Sequence, residues 1–178
     1  MTGTTRVIVG LSGSLGSLAA LYRAVTEAAR LEAVLVPVAA WSPSDGDQHG
    51  PRPLSELEHA ARRRIDTAFE QVFGGYPADL VVHPLAVRGH AGAALVSAVT
   101  GPADRLVVGT GRHGRLDRLL HGSVLRYCRT YATCPVIAVS PSELLETLEL
   151  SARSGAPLPL AAGQRHAGHR GARAATTH

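Results

Sequence analysis

Arg105-Leu-Val-Val-Gly-Thr-Gly-Arg-His-Gly-Arg-Leu-Asp-Arg-Leu-Leu-His-Gly-Ser-Val-Leu125 decides the fold. Arg105 to Val108 is an apolar strand, a loop crowded with glycine and arginine follows it, and a helix is predicted from about Ser123 to Ala132. That helix carries Val124, Leu125, Cys128 and Tyr131 on one side. Glycines let a loop turn its N–H groups inward at dihedrals other residues avoid, Gly122-Ser123 opens the helix at its positive end, and the arginines add charge. Together these features point to an anion, and the phosphate of a nucleotide is the natural guest.

The same alternation extends in both directions. Upstream, Arg6 to Leu11 is a buried strand, followed by the small-residue turn Ser12-Gly-Ser-Leu-Gly-Ser17. A helix comes next, with Ser17 as its predicted N-cap and Leu18, Leu21, Val25, Ala28 and Ala29 as its apolar stripe. Ala33 to Trp41 is too rich in β-branched residues for a helix, and Pro37 predicts a local irregularity in the strand. The polar, Gly- and Pro-containing segment Ser42 to Pro53 is a loop. Leu54, Leu57, Ala61, Ile65, Ala68, Phe69 and Val72 then keep helical spacing, with Ser55 and Glu58 as a capping box and Gly74-Gly75 as the stop. Arg62 to Arg64 fall on its charged, solvated face.

Asp79 to Val87 supplies another strand, Ala93 to Val99 a short helix ended by Gly101-Pro102, and Pro135 to Val139 the last strand. Five strands alternating with helices require right-handed crossovers and a parallel sheet covered on both faces, with a ligand crevice at the carboxyl ends of the strands. The loops after the first and fourth strands both open onto that edge. Beyond it, Pro141 to Ala152 forms a further helix, whereas Gly155 to His178 has no periodicity and is expected to be disordered.

Composition narrows the function. The 178 residues suit one domain, and the chain shows neither the pattern of a signal peptide nor a run near the roughly 20 apolar residues of a membrane span. A cytoplasmic protein is expected. The formal net charge is +4 and all 18 basic residues are arginine, a side chain suited to planar oxyanions. Four Tyr, two Phe and one Trp provide few stacking platforms and no helix carries a long Arg stripe, so nucleic acid is not expected as a partner. Cys128 and Cys134 are expected to be reduced thiols, with Cys128 in the core. His90, His113 and His121 lie in loops near the crevice edge without helical spacing to a second ligand, and His166 and His169 lie in the tail; no metal is predicted.

Several local matches resemble the universal stress protein family over residues 5 to 140. Val7-Ile-Val-Gly-Leu-Ser-Gly-Ser is similar to that family's opening strand and turn, and Val38-Ala-Ala-Trp to the end of its second strand. Leu106-Val-Val-Gly, through Gly122-Ser123 to Cys134-Pro-Val-Ile-Ala-Val, is similar to its closing block. The resemblance implies a Rossmann-like, doubly wound α/β fold: a five-stranded parallel sheet of order 3-2-1-4-5, dimeric through the fifth strand. Residues 1–140 would form the nucleotide-binding domain, 141–154 an appended helix and 155–178 a disordered tail.

ATP-binding members carry a glycine, two residues, a second glycine, nine residues, then Gly-Ser or Gly-Thr. Here Gly109 and Gly122-Ser123 hold the first and last places, while Arg112 stands at the middle glycine. Ser12 stands where binding members carry an acidic residue after the first strand. The implied contacts place adenine and ribose near Gly10, Ser12 and the backbone of Ala40, and phosphates against Gly109, Arg112, Gly122, Ser123 and Val124, with Val108 a further nucleotide-binding residue. Arg112 either clasps a phosphate or keeps one out. The implied function is a stress-response module that binds ATP or AMP without strong catalysis. A dimeric scaffold that has lost its ligand is one alternative. The other, an adenylating ATP pyrophosphatase, is disfavoured because Gly16 replaces the aspartate of that enzyme's loop.

Overall fold

The computed structural model describes residues 4–43, 52–111 and 124–154. Its elements run β1 (Arg6–Gly10), α1 (Leu15–Leu31), β2 (Val34–Trp41), α2 (Leu54–Phe73), β3 (Leu85–Arg88), α3 (Ala91–Ser97), β4 (Arg105–Gly109), α4 (124–131), β5 (Val136–Val139) and α5 (Pro141–Ser154). All four strand pairings are parallel and the order is β3-β2-β1-β4-β5. The expected doubly wound sheet is therefore present. The expected tail at 155–178, most of the loop at 42–53 and the loop at 112–123 lie outside the described residues.

The continuous apolar runs are explained by burial on both sides. Along β1, Val7 and Val9 face the layer of α1 and α2 while Ile8 faces α3 and α4. Successive residues alternate likewise in β4, where Val107 joins the first layer and Leu106 and Val108 the second. Helix α5 lies against α1, and its Leu144 packs on the first core. Leu145, Leu148 and Leu150 of α5 are exposed.

Local chemistry shifts several boundaries. Ser14, rather than Ser17, caps α1, accepting the Ser17 N–H at 3.2 Å. In a turn with three serines the cap falls where the chain is still extended, and Ser14 has φ −82° and ψ 158°. Helix α2 begins one residue after Pro53 without a side-chain cap, so the Ser55–Glu58 box does not form; Glu58 pairs with Arg62 at 2.8 Å instead. The strand expected over 79–87 is broken into a single bridge, Leu35 to Val82, and β3 proper. Pro37 explains the gap. Leu35 exchanges backbone bonds with Val81 and His83, so Pro37, two residues on, faces the same neighbour without an N–H to give. Its ladder with β1 continues, Val9 opposite Pro37.

Candidate functional site

In chain order the sheet grows from β1 to β2 and β3 on one side, then resumes at β4 on the other, so the carboxyl ends of β1 and β4 diverge at a topological switch point. A cleft of about 510 Å³, including its open mouth, lies there. Its cavity volume proper, without the open mouth, is about 80 Å³. Its floor is Gly10, Val38 and Val108 at the strand ends, its walls are Leu11, Ala40, Ala91, Leu95 and Val124, and its polar lip is Ser12, Ser14 and Ser17, with Gly109 beside them. No lining side chain among these carries a charge.

The lip follows from the turn after β1. Leu11 donates its N–H to the Val38 carbonyl at 2.9 Å, and Gly13 then takes φ +84°, reversing the chain into α1. The hydroxyls of Ser12 and Ser14 lie 3.0 Å apart, and Ser17 Oγ donates to the Ser14 carbonyl at 2.8 Å. The first turn of α1, the positive end of its dipole, thus borders the cleft. On the other side of the switch point, a Cβ on Gly109 would fall on the Gly16 carbonyl, and one on Gly16 would sit 2.7 Å from the Thr110 oxygen. The glycine that the loop motif requires therefore has a second role, since only bare backbone lets α1 meet the end of β4. Thr110 ties that end to β5, giving its N–H to the Val139 carbonyl at 2.7 Å and its hydroxyl at 3.1 Å.

The structure brings Gly10, Ser12, Ala40, Val108, Gly109 and Val124 around this one cleft. Arg112, Gly122 and Ser123 lie outside the described residues, as do His113, His121, His166 and His169. Sequence reasoning missed Leu11, Ser14, Ser17, Val38, Ala91 and Leu95. Val38 was accessible, since it shares a strand face with Ala40; Ala91, outside the helix expected over 93–99, and Leu95 were not, because their place over the strand ends depends on which helix covers the crevice. It also missed Arg64, whose Nη1 donates to the Ala40 carbonyl at 3.1 Å.

His90 is the exposed N-cap residue of α3 and makes no side-chain cap bond. Among the described residues no three of His, Cys, Asp and Glu gather as a metal site. Cys128 and Cys134 are buried free thiols beneath the α4 side of the sheet. Burial pushes the Cys128 thiol up to about 11 and raises that of Cys134, which keeps both protonated and poor nucleophiles. No helix among the described residues is long and apolar enough to cross a membrane.

Fold and cleft define a Rossmann-like α/β protein with an apolar crevice at its switch point. The model of the universal stress protein family matches residues 3–140, and the chain belongs to that family. Among solved structures it is similar to the universal stress protein UspA from Lactobacillus plantarum, at 22% identity and TM-score 0.56, covering 76% of this chain and 97% of that one. A universal stress family protein from Burkholderia pseudomallei is 23% identical at TM-score 0.53, covering 78% and 98%. A universal stress protein in complex with cAMP is 26% identical at TM-score 0.49, over 78% of this chain and 98% of the other. No curated protein matches it in sequence.

Proposed function

We propose that the crevice binds an adenine nucleotide, ATP or AMP, and that the protein is a nucleotide-responsive stress module of the cytoplasm without strong catalytic activity. It works as a homodimer joined through β5, residues 1–140 forming the binding unit and α5 an appendage to it. The observation that carries this reading is the cleft itself: an apolar slot at a switch point, edged by serine hydroxyls and the N-terminal turn of α1. In this reading the base lies against Val38, Ala40 and Leu95, the ribose meets Ser12, and the phosphates extend past Gly109 toward Arg112, Gly122 and Ser123.

Calorimetric titration with ATP and AMP tests it, with saturable binding expected below millimolar concentration; no heat at millimolar nucleotide sinks the reading in favour of a scaffold. The competing reading draws on Ser12 and Arg112, which stand where binding members carry an acidic residue and a glycine. The Arg112→Gly variant separates the two roles of that residue: tighter ATP binding means the arginine blocks the site, weaker binding that it holds a phosphate.

A further inference from the structure

The three consecutive arginines of α2 do not share one environment. Arg62 pairs with Glu58 at the surface. Arg64 turns inward, its Cγ 4.0 Å from where a Cβ on Gly13 would stand and its guanidinium on the Ala40 carbonyl at 3.1 Å. The side chain is thus held between the turn after β1 and the end of β2, outside the crevice lining but bonded to Ala40, which belongs to it.

Strand geometry gives the direction of that carbonyl. Trp41 accepts from Gly89 on the β3 side, whereas Val38 accepts from Leu11 on the β1 side. Ala40, two residues from Val38, therefore aims its carbonyl toward β1, over the turn Ser12 to Ser14, where β1 has already ended. The edge carbonyls of Val38, Trp41 and Val139 each accept a backbone N–H. The Ala40 carbonyl accepts a side chain instead. The nearby hydroxyls bond each other and the helix start, Ser14 Oγ accepting the Ser17 N–H and lying against Ser12 Oγ. An amino group on a base in this slot would find its acceptor in Ala40, one of whose two lone pairs Arg64 already occupies.

We propose that Arg64 is a specificity-determining residue of the crevice: it competes with a base's exocyclic amino group for the Ala40 carbonyl, and so suppresses the preference for an amino-bearing base over an amino-free one. The proposal rests on the nucleotide reading above and names the residue of this chain that sets its base preference.

The test is a four-way titration of the full chain and of Arg64→Met, with AMP and with purine riboside 5′-monophosphate, which keeps sugar and phosphate and lacks the amino group. Methionine preserves the aliphatic stem on Gly13, and the lost charge acts on both ligands alike, so it cancels in the ratio of affinities. The wild-type protein is expected to bind the two about equally, and Arg64→Met to favour AMP by about fivefold, the worth of one net hydrogen bond. An unchanged ratio, or one that moves toward the amino-free ligand, overturns the proposal and leaves the nucleotide reading standing. If neither protein binds either ligand, the nucleotide reading fails and this proposal fails with it. Arg64→Lys, which keeps the charge and loses the planar fork, should move the ratio the same way by less and serves if the methionine variant does not fold.

Discussion

The two faces of the sheet are covered very differently. On one, α1 and α2, of 17 and 20 residues, run the length of the strands and fill the layer with Leu21, Val25, Leu57, Ile65 and Phe69. On the other, α3 has 7 residues and contributes Ala94 and Leu95, with Ala98 at its C-cap, while α4 contributes Cys128. The long pair makes a core; the short element leaves the carboxyl ends of β1 and β4 partly uncovered. Among the described residues the crevice is the space α3 is too short and too small-sided to fill, and its apolar lining continues the sheet core.

The strongest test of this contrast is the seam where the well-covered face meets the crevice. Gly109→Val would drive a branched side chain into the backbone of α1 at Gly16, and chemical denaturation should show a loss of about 4 kcal/mol or outright failure to fold. Next comes truncation within each face. Phe69→Ala, fully buried, should cost about 4 kcal/mol in urea unfolding, whereas Leu95→Ala should cost about 2 kcal/mol because its side chain already borders open space. Equal costs would break the asymmetry.

Asp104, buried just ahead of β4 at the end remote from the cleft, accepts from the N–H groups of Arg6, Thr100 and Gly101 and from the Thr100 hydroxyl. Asp104→Ala should cost about 2 kcal/mol by leaving backbone donors unpaired, and should leave nucleotide affinity as it was. The smallest effect belongs to the outer side of the covered face. Glu27 is held by Arg30 at 2.8 Å and Arg23 at 3.2 Å, and the hydrogen bond from Arg30 is the main cause that holds its carboxyl below its ordinary value of 4.5. The folded state then binds fewer protons than the unfolded one just below that pH, so this stabilisation is complete above about 4.5 and is lost on further acidification. Glu27→Gln should cost about 1 kcal/mol at neutral pH, with the difference from wild type shrinking in acid melts.

Much of the architecture was legible because it is written in local periodicity. The apolar runs at Arg6 to Leu11 and Arg105 to Val108, and the spacing from Leu54 to Val72 closed by Gly74, give strands and a helix by short-range rules. Strand order followed from the family resemblance, since alternation alone fixes a parallel sheet and not which strands are neighbours. What stayed hidden depended on groups distant in sequence. Nothing near Gly109 announces that Gly16 will press against it, and a helix-face argument assigns Arg64 to solvent because it ignores how far an arginine reaches. Competing caps were hidden for the opposite reason: Ser12, Ser14 and Ser17 have the same chemistry, and only the backbone dihedrals choose among them. Of the candidate site, the strand-end residues were legible from the two small-residue loops, whereas the wall from α3 required knowing which helix covers the crevice.

The missing amide of Pro37 has a dynamic consequence. It divides the β2–β3 ladder into a lone bridge at Val82 and a four-residue strand at the rim of the sheet, so β3 is joined to the rest through fewer cooperative bonds than any inner strand. In deuterated solvent the amides of β3 should exchange through local opening, over a time short against those of β1 and β4, which wait for the whole domain to unfold. The rim next to β2 is thus expected to open before the inner strands β1 and β4.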